Sequence, residues 1–337
     1  MPEKLNTRAR EWLVEAGIGE TRAILVEHGE ICAARVQWDE GLQPGLIAEA
    51  QMVALAPGGK RGTARFADGS EALVDQLPAG TSDGARLTLR ITRAALAERG
   101  RAKLARARPA PGEIPRPALA LIDTLGPEPA RTVSAIDTAF DAAGWPDLVE
   151  EALSGTIGFP GGSLTVSPTP AMTLIDVDGA LAPRALAMVG VPAIVATLAR
   201  FDVAGSIGID FPTLAAKADR QAVDVALAQA LAASNFRGER TAMNGFGFVQ
   251  LVSRLERPSM VGLYAARPVA AAARVLLRRA ERVAEPGALL LTAHPAVRRA
   301  MKPAWLEDLA RRTARDLRWT EDAVLAPAAA FAQAVPR

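Results

Sequence analysis

Cysteine is nearly absent from this 337-residue chain. The single one, Cys32, excludes a disulfide framework and a cysteine-based zinc site within one chain. Two histidines, His28 and His294, leave little room for a histidine metal cluster or a Ser-His-Asp triad. Lysine is scarce too, with only Lys4, Lys60, Lys103, Lys217 and Lys302, so arginine carries most of the positive charge. Long apolar runs are missing. The longest, residues 185–199, is shorter than a bilayer span, contains Pro192 and is closed by Arg184 and Arg200. The first dozen residues show mixed charge and no apolar core of a secretory signal. These absences predict a soluble, cytoplasmic protein with no membrane partner.

What is present fits a folded chain. Half the residues are hydrophobic and 23% are charged, a globular composition long enough for roughly two or three domains. The formal charge is only +2, but it is unevenly spread. Residues 86–108 carry eight basic side chains against one acidic residue, Glu98. Two readings stay open for this run: a solvated face, or a strip that tracks phosphates. Lys60, Arg61 and Arg65 form a smaller cluster beside a turn at Pro57, Gly58 and Gly59. Aromatic interleaving is thin, since Phe66 is the only aromatic between Gln43 and Arg108.

Short β-rich runs open the chain, at residues 12–15, 22–27 and 31–37, and continue at 46–55, 62–67, 71–74 and 86–92. Glycine, proline and aspartate turns separate them, a spacing that predicts a small barrel, of OB type. Residues 105–117 hold four prolines and predict a linker. A buried strand is expected at 118–122 and helix over most of 136–153. Strands and helices then alternate, with strands at 163–166, 171–177 and 204–210, a helix at 184–200 and another after Pro212. Residues 241–255 return to β, and helices at 268–283 and around 305–317 flank a strand at 287–291. This half predicts an α/β arrangement. The glycine-rich stretch 158–162 is either a plain turn or an anion-binding nest. His294 is expected to start a helix, and Cys32 to act as a small buried hydrophobe.

The most informative residues lie in MTLIDVDG and SIGIDF. A period of two places Leu174, Asp176 and Asp178 on one strand face, with Thr173, Ile175 and Val177 on the other. Apolar residues on both faces predict a strand covered on both sides, with Asp176, Asp178 and Asp210 where buried strands emerge. Ligand sites form outside such carboxyl ends. Carboxylates there suit Mg²⁺ or Mn²⁺, with positions left for substrate phosphate. Equally, each aspartate can cap the segment that follows it.

Together these segments resemble the ribonuclease E/G family of bacterial endoribonucleases. The similarity rests on FPGGSLTVSPTPAMTLIDVDG, on LARFDVAGSIGIDF, on Arg220, Gln221, Ala222 and Val223, and on RTAMNGFGFVQLVSRLERPS. It is clearest over residues 158–260, and looser in the amino-terminal strands and in the tail, with its RRAER and AHPAV segments. The resemblance implies an α+β and α/β multidomain chain: a ribonuclease H-like subdomain (1–38 and 114–157), an inserted degenerate S1 barrel of OB type (39–108), a DNase I-like catalytic subdomain (158–260) and a small carboxyl-terminal α/β region (261–337). It implies metal-dependent hydrolysis of single-stranded RNA to 5′-phosphate and 3′-hydroxyl ends, in RNA processing or decay. Asp176 and Asp210 match the family's Mg²⁺ ligands, with Mn²⁺ as substitute. Asp178 stands where the family has an orienting Asn and is expected as a catalytic orienting group or third ligand, and Lys103 matches a lysine supporting RNA binding. Arg99, Arg101 and Arg106, with Lys60, Arg61 and Arg65, complete the expected RNA surface. The family's Cys-x-x-Cys zinc link is missing, which excludes zinc-linked dimers and leaves other oligomers open. Its 5′-phosphate sensor has no room, its stacking aromatics are absent near Ala64 and Ala72, and Gly245 replaces a common arginine. The rival expectation is a non-catalytic RNA-binding protein derived from this family.

Overall fold

The structure, a computed structural model, describes residues 10–98 and 101–337. Three strands open the described chain: β1 (Glu11–Ala16), β2 (Glu20–Glu27) and β3 (Glu30–Trp38). His28 and Gly29 make the two-residue turn between the last two, both with positive φ, as a tight hairpin requires. A closed barrel follows, built from β4 (Ile47–Leu55), β5 (Arg61–Phe66), β6 (Glu71–Asp75), β7 (Arg86–Arg93) and, after a small hairpin of β8 (Leu96–Glu98) and β9 (Arg101–Lys103), β10 (Ala105–Pro109). Ala50, Met52, Ala64, Phe66, Ala72, Val74, Leu89, Ile91 and Ala107 fill its interior. The barrel is OB-like and small, because alanine occupies many inward positions.

Strand β10 corrects the expected linker. Residues 105–109 alternate buried alanine with exposed arginine and pair with both β6 and β7, closing the barrel. A period of two outweighs the proline content there, and Pro109 stands at the strand's last position, where a missing N–H is tolerated. The buried strand expected at 118–122 is also absent; residues 121–124 form a short 3-10 turn instead.

The chain then returns to the first sheet through β11 (Ala130–Val133), which lies parallel to β1 and gives the order β11-β1-β2-β3. Two helices, α1 (Ala139–Ala142) and α2 (Trp145–Ser154), replace the single expected one. They are split at Gly144, whose φ of 96° breaks the helix.

The second large sheet comprises β12 (Thr156–Phe159), β13 (Gly162–Pro168), β14 (Thr173–Gly179), β15 (Ser206–Asp210), β16 (Gly238–Arg240) and β17 (Phe248–Ser253). Its order is β12-β13-β14-β15-β17-β16, and β14 with β15 is its parallel pair. Helix α3 (Pro183–Arg200) makes the crossover between them, and α4 (Lys217–Ala233) leads from β15 toward β16. Ile175, Val177, Ile207 and Ile209 pack against Leu186, Val191, Ile194 and Leu198 of α3 and Val223 and Leu227 of α4. The same core continues to Leu13, Ile24 and Val26 of the first sheet. By length and composition α3 is apolar enough to cross a membrane, but this packing employs one side of it as a sheet cover.

Helices α5 (Met260–Ala266) and α6 (Pro268–Glu281) lead to a three-stranded sheet of β18 (Ala288–Ala293), β19 (Leu317–Glu321) and β20 (Phe331–Val335), with α7 (Pro295–Ala300) and α8 (Pro303–Thr313) between β18 and β19. His294 caps α7, its Nδ1 accepting from the Ala296 N–H at 3.0 Å.

Two arginines of α6, Arg274 and Arg278, face inward. Arg278 donates to both oxygens of Glu15 on β1, at 3.1 and 3.3 Å, and to Asp141 at 2.9 Å. Glu15 is fully buried and also accepts from Arg22, which in turn donates to Glu20 at 2.6 Å. Arg274 stacks on Trp38 and Trp305, with its guanidinium carbon 3.8 and 4.6 Å from the ring centres, and donates to Glu40. Tyr264 is buried beside these groups, and burial pushes its phenol far above the ordinary range. This ionic core ties the carboxyl-terminal region to the first sheet.

Candidate active site

Strands β14 and β15 set the geometry. Thr173 pairs with Ile207, Ile175 with Ile209, and Asp176 with Asp210. Neighbouring strands lie about 4.8 Å apart, so the register delivers two carboxylates side by side on one face. Asp210 ends β15, and Asp178 follows one side-chain period after Asp176.

The face they occupy differs from expectation. Ile175 and Val177 are buried, whereas Leu174 is half-buried and Asp176, Asp178 and Asp210 are exposed. The strand is therefore covered on one side only. Antiparallel neighbours, β13 beyond β14 and β17 beyond β15, flank the parallel pair, and such sheets tolerate one solvated face.

The carboxylates repel one another. Partial burial first, then the charge of Asp178, a hydrogen bond with it and the charge of Asp210 raise the Asp176 carboxyl above its ordinary value. A cation on this face would relieve that repulsion. Yet among the described residues no group of three or more His, Cys, Asp or Glu side chains is gathered to hold a metal ion. The arrangement is a carboxylate pair with Asp178 next along the same strand face, and it does not supply a three-carboxylate cage.

Glycine fixes the neighbourhood. Pro160 and Gly161, with Gly161 at φ 91°, turn β12 into β13. This is a plain hairpin turn. It packs directly on the end of β14, where a Cβ on Gly179 would overlap the Gly161 carbonyl and lie 2.7 Å from Leu186 Cδ1. The DVDG sequence thus requires its last residue to be glycine.

The expected RNA surface is more dispersed. Arg61 and Arg65 project from the outer wall of the barrel on β5, and Arg106 from β10. Strand β6 lies between and supplies their partners: Arg61 and Arg106 both reach Asp75, at 2.8 and 3.9 Å, and Arg65 reaches Glu71 at 2.8 Å. Lys60 is exposed at the turn before β5. Lys103 is half-buried and donates to the Pro170 carbonyl at 2.7 Å, tying β9 to the loop before β14. Arg99 and the side chain of Arg101 lie outside the described residues. The wall is therefore an alternation of cations and carboxylates, and of the two readings open for residues 86–108 the continuous phosphate strip is interrupted by strand pairing. Lys60, Arg86 and Arg108 are its exposed cations without an ion-pair partner among the described residues. The latter two were part of the basic run, and a period of two on β7 and β10 singles them out. Ala64 and Ala72 face each other across β5 and β6 in the barrel interior, so an aromatic at either position would enter the core of this barrel.

Two further exposed residues lie on the segments that follow and pair with the strand bearing Asp210. Lys217, exposed and without an ion-pair partner among the described residues, opens α4 seven residues after Asp210. Phe246 projects from the turn before β17. The NGFG sequence was its signal, a large apolar residue inside a turn that has no interior to bury it.

A cleft of about 550 Å³ lies elsewhere, between β3, the root of the barrel and the segment 254–267, lined in part by Trp38, Glu40, Arg90, Arg257 and Arg267. Its arginines are paired: Arg90 with Glu113, Arg257 with Asp202 at 3.8 Å, and Arg267 with Glu40 at 3.6 Å. It contains none of the sequence-predicted site residues. No protein-family model matches the chain, and no curated protein matches it in sequence.

Proposed function

We propose that this chain is a Mg²⁺-dependent endoribonuclease that hydrolyses single-stranded RNA to 5′-phosphate and 3′-hydroxyl ends. The observation that carries the reading is the in-register pairing of Asp176 with Asp210 at the carboxyl ends of two parallel strands, on a face no other element packs against closely enough to bury them. The resemblance of the same segments to the ribonuclease E/G family supports it. In this reading the first sheet is the ribonuclease H-like subdomain, the barrel the S1-like insert and the second sheet the DNase I-like catalytic subdomain.

Asp176 and Asp210 would hold Mg²⁺ or Mn²⁺, since a pair of hard oxygen donors leaves the remaining octahedral positions to water and phosphate. When bound, the ion supplies a water of lowered pKa and neutralises charge on the phosphoryl oxygens. The chain's own contributions are positional. Asp178, next along the same strand face, is assigned the role of orienting the Asp176 carboxylate. The exposed face admits a flexible strand. Zinc has no role in the proposal.

The test is cleavage of a 5′-labelled single-stranded RNA in Mg²⁺ and in Mn²⁺. Asp176→Asn and Asp210→Asn are each expected to abolish cleavage while circular dichroism and melting remain those of the wild type. Wild-type cleavage by either variant overturns the site. Salt-sensitive RNA binding by the wild type without cleavage in either metal selects the non-catalytic RNA-binding protein instead.

A further inference from the structure

Aromatic residues are sparse, at nine Phe, five Trp and one Tyr, and all except Phe246 and Phe331 are buried or half-buried. Phe246 is 85% exposed, more than twice Phe331 at 40%. It does not dangle on a loose loop. Asn244 Oδ1 accepts from the N–H groups of Phe246 at 2.9 Å and Phe248 at 3.1 Å. The Asn244 N–H donates to the Phe248 carbonyl at 3.0 Å, and the Gly247 N–H donates back to Asn244 at 3.2 Å. Gly247, at φ 88°, closes the turn. The side chain is thus held out from a backbone fixed on both sides.

The turn is also anchored to the carboxylate edge. The Phe211 N–H, directly after Asp210, donates to the Gly247 carbonyl at 3.2 Å. Asp210 and Phe248 are register partners, so Phe246 sits in the turn that enters the strand paired with Asp210. An exposed ring on a hydrogen-bonded turn, tied to the strand that carries Asp210, matches what stacking on a nucleobase needs: an accessible π-face on an ordered backbone. It also lies where the barrel wall, without exposed aromatics, supplies none.

We propose that Phe246 is a positioning residue that stacks on one base of a single-stranded RNA crossing the Asp176–Asp210 edge. This deepens the endoribonuclease reading and rests on its substrate class. Stacking is tolerant of base identity, so Phe246 fixes the register of the strand over the carboxylates and contributes little sequence preference.

The test measures equilibrium binding of a fluorescein-labelled ten-nucleotide single-stranded oligoadenylate RNA to the full chain, in EDTA so that nothing is cleaved. Phe246→Ala is expected to weaken binding by about 5- to 150-fold. Phe246→Trp and Phe246→Tyr are expected to keep wild-type affinity, a rescue that a merely structural role would not show. An abasic site moved along the oligonucleotide should weaken wild-type binding most at one position, and at that position add nothing to Phe246→Ala. Binding by Phe246→Ala within twofold of wild type, or an abasic effect that adds to it at every position, overturns the stacking inference and leaves the cleavage reading standing. Absence of salt-sensitive RNA binding by the wild type overturns both.

Discussion

Arg278→Met separates two roles for the arginine-rich segment of α6, which from its composition alone is as fit for RNA as for a protein partner. In the structure Arg278 is almost buried and makes three charge-assisted hydrogen bonds, two to Glu15 and one to Asp141. Methionine keeps most of the unbranched stem and its packing, so the perturbation is mainly the loss of charge and donors. Asp141 retains Arg282 at 2.7 Å. Glu15 retains Arg22 on one oxygen, but its other oxygen loses its partner inside a site with no solvent access. Removing one partner of a buried pair costs about 3–5 kcal/mol. The remaining Arg22 contact places this case near the lower figure, roughly 3 kcal/mol. That is a large part of a stability of about 5–15 kcal/mol. The assay is urea unfolding followed by tryptophan fluorescence, with hydrogen exchange on β1 and α6 to locate the loosened region. Several cores in one chain invite more than one transition, so the exchange data assign the change. Adding Glu15→Gln should give a double-mutant coupling of about 1–3 kcal/mol. A loss below about 1 kcal/mol, or a fall in RNA affinity at unchanged stability, refutes the clamp and returns α6 to the ligand-binding surface.

Two further outcomes follow from the charges. At Glu40 burial pushes the carboxyl up, but hydrogen bonds and charges from Lys302 and Arg274 outweigh it and hold the group below its ordinary 4.5. A depressed carboxyl contributes stability above its unfolded value and loses it as pH falls through the folded one. The melting-temperature difference between wild type and Glu40→Gln should therefore be constant from pH 7 to about pH 5 and shrink below about pH 4.5; a difference independent of pH down to 3 rules this out. On the barrel wall, Arg86→Ala and Arg108→Ala should each lower the salt slope of RNA binding by about 1. Arg65→Ala, whose guanidinium is already paired with Glu71 at 2.8 Å, should change it by less than half as much; equal slopes for all three would show that the carboxylates of β6 do not compete with phosphate.

Local period made some of this legible in the sequence and left the rest hidden. The alternation in TLIDVDG and SIGID fixes which side chains share a face, so the carboxylates and the buried isoleucines were readable before any coordinates. The period is silent on what covers the other face, and there the expected second layer is absent. Strand β10 was masked by prolines that follow its alternating ARAR. Helix α5 was too short, at seven residues, to show a period of its own. The ionic core was out of reach for a different reason: Glu15 and Arg278 are 263 positions apart, and nothing local distinguishes an arginine that will be buried from one that will be solvated. The same logic explains why Asp176 and Phe246 differ in legibility. Asp176 interrupts an apolar strand, and an interruption is a signal in itself. Phe246 sits in a glycine turn, where its meaning depends on the neighbour that the β15–β17 register brings beside it. The function proposed for this edge therefore rests on pairing between strands almost forty residues apart. A substitution that slips β17 by one residue would remove Phe246 from the carboxylates and leave both sequence motifs unchanged.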